Sequence, residues 1–352
     1  MSQELAARIK ERALEIGFTF AAIAPARPSE HSRYYKTWLE AGYHGQMGYL
    51  ARPGAVARRA DLSLTVPNAQ SVLVLAANYH TEHLPPQVLN DPSRGIIASY
   101  AWNLDYHNLL TPRLYDLQNW IDHQAGVPVT GRAYVDTGPV LERELAERGG
   151  LGFIGKNTCL INPQIGSYIF LAEIILDIHL PFDAPATGCT CGRCTRCLTT
   201  CPTNAFVEPY VLDSNRCISY FTIELKGEIP PELRPLMKNR IFGCDICQEV
   251  CPYNRRFAIP TAEPAFRARL DQMAPPLLDL ISLDEAAFQQ RFKGSPIKRA
   301  KRRGLLRNVC VALGNWGSQA AIPALEMALQ DPEPLIQSHA AWALSQIKAN
   351  PL

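Results

Sequence analysis

Apolar positions alternate between two spacings through the first half of the chain and settle to one spacing in the last quarter. Leu5, Ile9, Leu14 and Ile16 recur at helical intervals among charged residues, and residues 114–123 carry a similar stripe. Residues 70–77 (Gln-Ser-Val-Leu-Val-Leu-Ala-Ala), 132–136 and 167–177 are short apolar runs bounded by Gly, Pro, Asn or Asp, which predicts strands. The expected fold class is α+β, with a mixed α/β domain over residues 1–185.

Residues 186–260 break both periods. They are rich in Gly, Pro, Thr and Asn and hold most of the cysteines, as a compact metal module would. From residue 261 to 352 the chain reads as helices. Residues 305–314 and 336–345 repeat one another 31 positions apart, Val311-Ala312-Leu313-Gly314 against Trp342-Ala343-Leu344-Ser345, with a helix expected over 320–329 between them. Helix pairs of this period resemble HEAT repeats. So short a solenoid is expected to pack against the rest of the chain.

The longest apolar run, 168–180, is broken by Glu173 and Asp177 and falls short of the roughly 18 to 20 residues a bilayer span needs. No membrane span is expected. The opening residues lack the apolar core of a secretory signal and a twin-arginine pair, so the expected location is the cytoplasm. Over 352 residues the chain is 47% hydrophobic with a formal net charge of +2, which excludes disorder and collagen-like structure. Its 11 cysteines are an odd number for a compartment that keeps thiols reduced; most are expected to hold metal.

Cys191-Gly-Arg-Cys194-Thr-Arg-Cys197-Leu-Thr-Thr-Cys201-Pro202 follows the C-x2-C-x2-C-x3-C-P spacing of bacterial two-cluster ferredoxins. Short loops bring three thiolates to one cube, and the fourth cysteine, one helical turn on, serves the other. Cys244-Asp-Ile-Cys247-Gln-Glu-Val-Cys251-Pro252 repeats the latter part of the run, but Ile241 occupies the slot of its first cysteine. Cys217 is the only cysteine between the two runs. The expected ligands are Cys191, Cys194, Cys197 and Cys251 for one [4Fe-4S] cluster, and Cys201, Cys217, Cys244 and Cys247 for the other. Paired zinc sites also use C-x2-C, yet have no need of the x3-C-P ending. Cys159, Cys189 and Cys310 are left over; Cys310 reads as core, and Cys189 is near enough to Cys191 to compete as a ligand.

The segment from Asp136-Thr137-Gly138-Pro139 to Glu142, with the loop Gly149-Gly150-Leu151-Gly152-Phe153-Ile154-Gly155-Lys156-Asn157-Thr158, concentrates the remaining unusual chemistry. A carboxylate is expected at a strand end, followed by glycines that allow a large ligand close to the backbone. The pattern is neither G-x-G-x-x-G after a strand nor a P-loop, so a dinucleotide or a nucleoside triphosphate is poorly supported. On spacing alone, Asp136 reads equally as a helix cap and as a catalyst.

Together with Tyr100-Ala101-Trp102, Asp105-Tyr106-His107 and the two-cluster module, these segments resemble the epoxyqueuosine reductase family over nearly the whole chain. The resemblance implies reduction of epoxyqueuosine to queuosine in a tRNA anticodon, with electrons passed through two [4Fe-4S] clusters to cobalamin. It implies that Asp136 donates a proton to the epoxide oxygen as its C–O bonds break, as a positioned carboxylic acid can. It places cobalamin contacts at Arg59, Lys156, Asn157, Thr158 and Ser167, with Arg58 beside Arg59 as an alternative. Phe153 stands where the family's loop has tryptophan. No histidine is assigned as the lower cobalt ligand, and His107 reads as a packed or substrate-facing residue.

Lys293, Lys298, Arg299, Lys301, Arg302, Arg303 and Arg307 are seven cations with no acid among them. Such a run attracts phosphate backbones irrespective of sequence. With the resemblance, Lys298, Arg299, Lys301, Arg302, Arg303 and Arg307 are expected to bind tRNA, and Tyr34, Tyr35, Tyr43 and Tyr49 are further candidates for a nucleic-acid surface. The expected protein is a monomer served by an unidentified low-potential electron donor. A reductive dehalogenase shares the cofactors but has no use for a basic tail, and a ferredoxin-like carrier would have no substrate of its own.

Overall fold

The computed structural model describes residues 2–267 and 270–349. A four-stranded sheet is built from β1 (Phe20–Pro25), β2 (Ser71–Asn78), β3 (Gly131–Tyr134) and β4 (Ile169–Leu176), in the order β1-β2-β4-β3 and antiparallel throughout. Every residue of β2 is buried, because helices cover both faces of the sheet. The period of two assigns each side chain to a face. Leu73, Leu75, Ala172 and Ile174 pack on α1 (Gln3–Glu15) and α2 (Tyr106–Ala125), while Val72, Val74 and Ile175 pack on α3 (Glu142–Arg148). Each Leu or Ile fully buried there contributes about 1.5–3 kcal/mol.

Local signals fix the helix ends. The Ser2 hydroxyl accepts the Leu5 N–H at 3.1 Å, and Leu5, Ala6, Ile9 and Ala13 form the buried stripe of α1. Asp105 accepts the His107 N–H at 3.1 Å at the start of α2, which Gly126 closes in the left-handed conformation. The expected strand over 132–136 ends sooner than its sequence suggests, at Tyr134. Asp136 lies beyond it at φ 54°, where side chains other than glycine seldom sit.

The cysteine-rich stretch is mostly loop. It carries two short helices, Arg196–Thr200 and Ile246–Glu249, each followed by a Cys-Pro step, and α4 (Ile218–Ile223). The last part is helical: α5 (Lys301–Trp316), α6 (Ile322–Ala328) and α7 (Pro334–Ala349). The repeated tetrapeptides meet face to face. A Cβ on Gly314 would stand 2.7 Å from the Trp342 ring and 2.9 Å from Ala343 Cα, so only glycine lets α5 and α7 approach so closely. The core beneath them takes Ile97 and Trp102 from the first half of the chain and Ile241 and Phe242 from the cysteine-rich stretch, so the helices are anchored as expected. Among the described residues no helix is long and apolar enough to cross a membrane.

Candidate active site and cluster-binding cysteines

The chain folds its cysteines into two neighbourhoods. Cys197 stands in the field of Cys191 and Cys194, and Cys251 in that of Cys191. In the second, Cys217 feels Cys201, Cys244 feels Cys217, and Cys247 feels both Cys244 and Cys217. Burial, reinforced by neighbouring thiols, pushes Cys197 up to about 11 and Cys244 up to about 12. These thiols therefore need a bound cation to become thiolates. Backbone donors already point at two of the sulfurs: Lys156 N–H at Cys191 Sγ (3.4 Å) and Ala205 N–H at Cys201 Sγ (3.3 Å). Among the described residues no three His, Cys, Asp or Glu side chains form a set able to hold a single metal ion. A cubane needs no such convergence, since each iron corner takes one thiolate, and the four assigned thiols of each group with their backbone donors suit two cubes; Cys189 packs with Cys191 beside Cys251, next to the first group. Cys310 is core, fully buried between α5 and α7, and Cys159 stands in the field of Cys247, next to the second group.

The glycine-rich loop has a different task from the one its composition suggests. A Cβ at Gly150 would lie 2.3 Å from Ala184 O, and one at Gly152 the same distance from Ile161 O. These glycines are required by the chain's own packing rather than by a ligand. Three of the side chains expected at a corrin are likewise committed within the protein. Lys156 Nζ donates to Gly192 O (2.8 Å) and Cys194 O (3.0 Å), holding the first cysteine loop. Asn157 is buried, donating to Cys247 O at 3.4 Å and accepting the Cys159 N–H at 3.3 Å. Ser167 is buried in a web with Asn254 and Gln248. These residues brace the cysteine loops. Thr158, at φ 65°, gives its carbonyl to Arg143 and stays half-buried, and Arg59 lies over the Tyr35 ring, 5.4 Å from its centroid.

Asp136 projects into a cleft with its side chain 55% exposed. The Tyr106 hydroxyl donates to Asp136 Oδ2 at 2.6 Å, and Arg299 Nη1 stands 4.0 Å from the same oxygen. The Arg299 guanidinium covers the Tyr106 ring, 5.6 Å from its centroid, and contacts His107, whose Nδ1 lies 2.8 Å from Asp105 Oδ1. Burial and the Asp136 carboxylate push the Tyr106 phenol far above its usual range, so it remains a donor. Across the cleft, Tyr49 is within electrostatic range of Glu224, Asp136, Arg59 and Tyr35, and burial holds its phenol up at about 12. Arg59 and the exposed Tyr49 hydroxyl lie close together beside the Tyr35 ring, whose own hydroxyl donates to Leu50 O at 2.8 Å, and these two donors on aromatic surfaces suit the amide-bearing edge of a corrin.

The basic run divides four ways. Lys298, Lys301 and Arg303 are exposed. Arg299 is exposed as well, but its guanidinium reaches Asp136 and the Tyr106 hydroxyl, so it also serves the cleft. Arg302 is held by both carboxylate oxygens of Asp331. Arg307 is 1% exposed and donates to the carbonyls of Phe221, Leu225 and Gly227, so the expectation that it meets tRNA is corrected: its guanidinium fastens α5 to α4. Sequence reasoning misses Tyr106 and Arg299 as cleft residues, although Tyr106 lies in a segment that carries the family resemblance.

A family model described as epoxyqueuosine reductase QueG, DUF1730, matches residues 59–137; a 4Fe-4S double cluster binding domain matches 190–254, and HEAT repeats match 298–351. The cluster model takes in all eight assigned cysteines and leaves out Cys159, Cys189 and Cys310. The epoxyqueuosine reductase of Pseudomonas aeruginosa is 45% identical over 349 residues, covering 97% of this chain and 94% of its own. A crystal structure of epoxyqueuosine reductase with an epoxyqueuosine-modified tRNA-Tyr stem loop superposes at a TM-score of 0.88 with 30% identity, over 98% of this chain and 90% of that one. The Bacillus subtilis epoxyqueuosine reductase with its catalytic aspartate loop swung out of the active site gives 0.87 at 30% identity, with the same coverage.

Proposed function

The chain belongs to the epoxyqueuosine reductase family, and we infer from that membership that it reduces epoxyqueuosine in the tRNA anticodon to queuosine, the last step of queuosine biosynthesis. Opening the epoxide to an alkene takes two electrons and two protons and releases one water. Asp136 carries the proton-donor role. The observation that supports it most is the 2.6 Å bond from Tyr106, which fixes the carboxyl at the mouth of the cleft while leaving it open to a substrate.

Cys191, Cys194, Cys197 and Cys251 hold one cluster, and Cys201, Cys217, Cys244 and Cys247 the other. Arg59 and Thr158, with Tyr49, hold cobalamin at the cleft rim. When bound, that cofactor supplies a low-valent metal able to reduce carbon. The residues around the first cysteine group, Gly192, Arg193, Thr195 and Arg196, are exposed, whereas Ile218, Phe221, Phe242 and Gly243 enclose the second. This supports electrons arriving at the first cluster from a low-potential one-electron carrier and passing inward. Lys298, Lys301 and Arg303 offer the tRNA a cationic surface next to the cleft, which Arg299 enters from the same run. We read the protein as a cytoplasmic monomer.

Anaerobically purified protein should carry about eight irons, four for each [4Fe-4S] cluster, together with cobalamin. With a low-potential reductant it should convert epoxyqueuosine-containing tRNA to the queuosine form. Protein with its full cofactor load that leaves such tRNA unchanged would refute the reading.

A further inference from the structure

The segment Cys201-Pro202-Thr203-Asn204 folds back on its own first sulfur. Proline takes the second place of the turn, which suits its fixed φ, and the Asn204 N–H donates to Cys201 O at 3.2 Å. Asn204 sits at φ 49°, a conformation that asparagine adopts more readily than most side chains. The next amide, Ala205 N–H, is thereby aimed at Cys201 Sγ, 3.3 Å away. Thr203 Oγ1 lies 3.5 Å from the same sulfur. Thr203 is 1% exposed, and among the described residues its hydroxyl has no other hydrogen-bond partner. A ligating thiolate carries no proton, so in that pair the hydroxyl donates. Arg216, the residue before Cys217, fixes the turn from outside, its Nε donating to Thr203 O at 3.0 Å. Among the described residues Thr203 carries the one hydroxyl bonded to an assigned cluster sulfur.

We propose that Thr203 tunes the second cluster: its hydroxyl stabilises an added electron there, so that the first of the two electrons each epoxide needs waits at that cluster. The proposal rests on the reading that Cys201, Cys217, Cys244 and Cys247 hold this cluster, and Thr203 acts through Cys201 as a positioning residue. One electron taken from the low-potential carrier adds a negative charge to an assembly already negative from its thiolates; no bond forms and no proton moves. Enclosure by the buried Ile218, Phe221 and Phe242 opposes that charge and lowers the potential. Donors aimed at a ligand sulfur act the other way, because they bind the reduced, more negative state more strongly. The carrier brings one electron at a time, so the first must be kept until the second arrives. Two donors on one sulfur offset the enclosure, and the electron is held away from the exposed loop at which the carrier docks.

The test is potentiometry of the anaerobic holoenzyme followed by electron paramagnetic resonance, which should resolve two one-electron steps. Thr203→Val keeps the bulk and removes the hydroxyl. It should retain about eight irons and lower one step alone, by about 59 mV for a roughly tenfold weaker hold on a single electron. Thr203→Ala, which removes the hydroxyl without the second methyl, should lower the same step. Thr203→Ser keeps the hydroxyl and should return that step to near its wild-type potential. Cys217→Ser, expected to keep the first cluster alone, identifies the step that Thr203 should not move. A fully loaded Thr203→Val or Thr203→Ala protein with both steps in place overturns the tuning, as does a shift confined to the first cluster or equal shifts of both. A step lowered just as far in Thr203→Ser would make the effect one of packing and overturn it too. A wild type far short of that iron count would instead refute the cluster reading, and the tuning with it.

Discussion

Tyr106 and Asp136 are 30 positions apart in the chain and joined by a 2.6 Å hydrogen bond from phenol to carboxylate. The bond exists because α2 runs along the sheet face that β3 leaves, so the first residue of the helix meets the first turn after the strand. Tyr106 is itself locked by stacking on Phe170, 4.1 Å between centroids and 14° between planes. Its position is therefore set by the core and passed on to the carboxyl.

Tyr106→Phe should leave the ring stacked and free the carboxyl to rotate. A hydrogen bond to a charged group is worth about 1.5–3 kcal/mol, so kcat should fall on the order of tenfold or more, with KM for tRNA nearly constant. Asp136→Asn should cost far more, on the order of 10²–10⁴ in rate, while iron and cobalamin contents stay as in the wild type. A fully active, fully loaded Asp136→Asn enzyme would remove Asp136 from the chemistry.

Replacing single cysteines should separate ligands from bystanders. Cys217→Ser takes the one ligand that lies outside both motifs, and iron should drop from about eight toward four as its cluster is lost. Cys159→Ser, Cys189→Ser and Cys310→Ser should retain the full count, although Cys310→Ser buries a hydroxyl in an apolar core and should lower the melting temperature. Full iron in Cys191→Ser together with loss in Cys189→Ser would transfer that ligand position of the first cluster to Cys189, which packs beside it.

The basic run should behave as two populations. Charge reversal at Lys301 and Arg303 should weaken tRNA binding and flatten its dependence on salt, by roughly 0.7–0.9 in log–log slope for each phosphate no longer neutralised. Arg307→Met should do neither. It leaves three carbonyls without their donor in the interior, and should destabilise the protein by about 3–5 kcal/mol in denaturant unfolding. A salt slope altered by Arg307→Met in folded protein would contradict the burial of that guanidinium.

The contrast between Arg303 and Arg307 also marks what the sequence discloses. The cysteine ligands are legible because cluster chemistry imposes spacing on neighbouring residues, and the buried strands are legible because burial on both faces excludes polar positions. Glu173 is legible in the same way, as the acid that interrupts an apolar run. Lys156, Asn157 and Ser167 read as ligand-facing in the sequence, yet their side chains bond groups 36 to 90 positions away, Gly192 O, Cys247 O and the Asn254 amide, which no local pattern encodes. Arg299 resembles its neighbours in sequence, but the backbone bends at Lys301, φ 57°, where a short 3-10 helix, Pro296–Ala300, meets α5 and turns that one side chain toward Asp136. Spacing reports contacts between neighbours in sequence; these roles come from contacts that only the fold creates.

His339 makes acid sensitivity a property of the helical end of the molecule. Its ring is fully buried on α7, where Nε2 accepts the Ile229 N–H at 3.2 Å and Nδ1 donates to Leu335 O at 2.8 Å. Burial, with Arg234 and Arg307 adding positive charge nearby, depresses its pKa to about 3. Since the unfolded chain binds this proton near 6.5 and the folded one does not, stability is intact above about pH 6.5 and declines as pH falls toward 3. Between about pH 7 and 5.5 the loss from this one group should reach about 1 kcal/mol, at 1.36 kcal/mol for each pKa unit. His339→Leu should be less stable near pH 7, because the Ile229 N–H loses its acceptor, yet its stability should change less across that interval. Urea unfolding of both proteins, kept above the acidity at which cluster iron is released, measures the difference. Parallel stability curves would mean that His339 titrates normally and that its enclosure by Ile229 and Leu335 does not persist in solution.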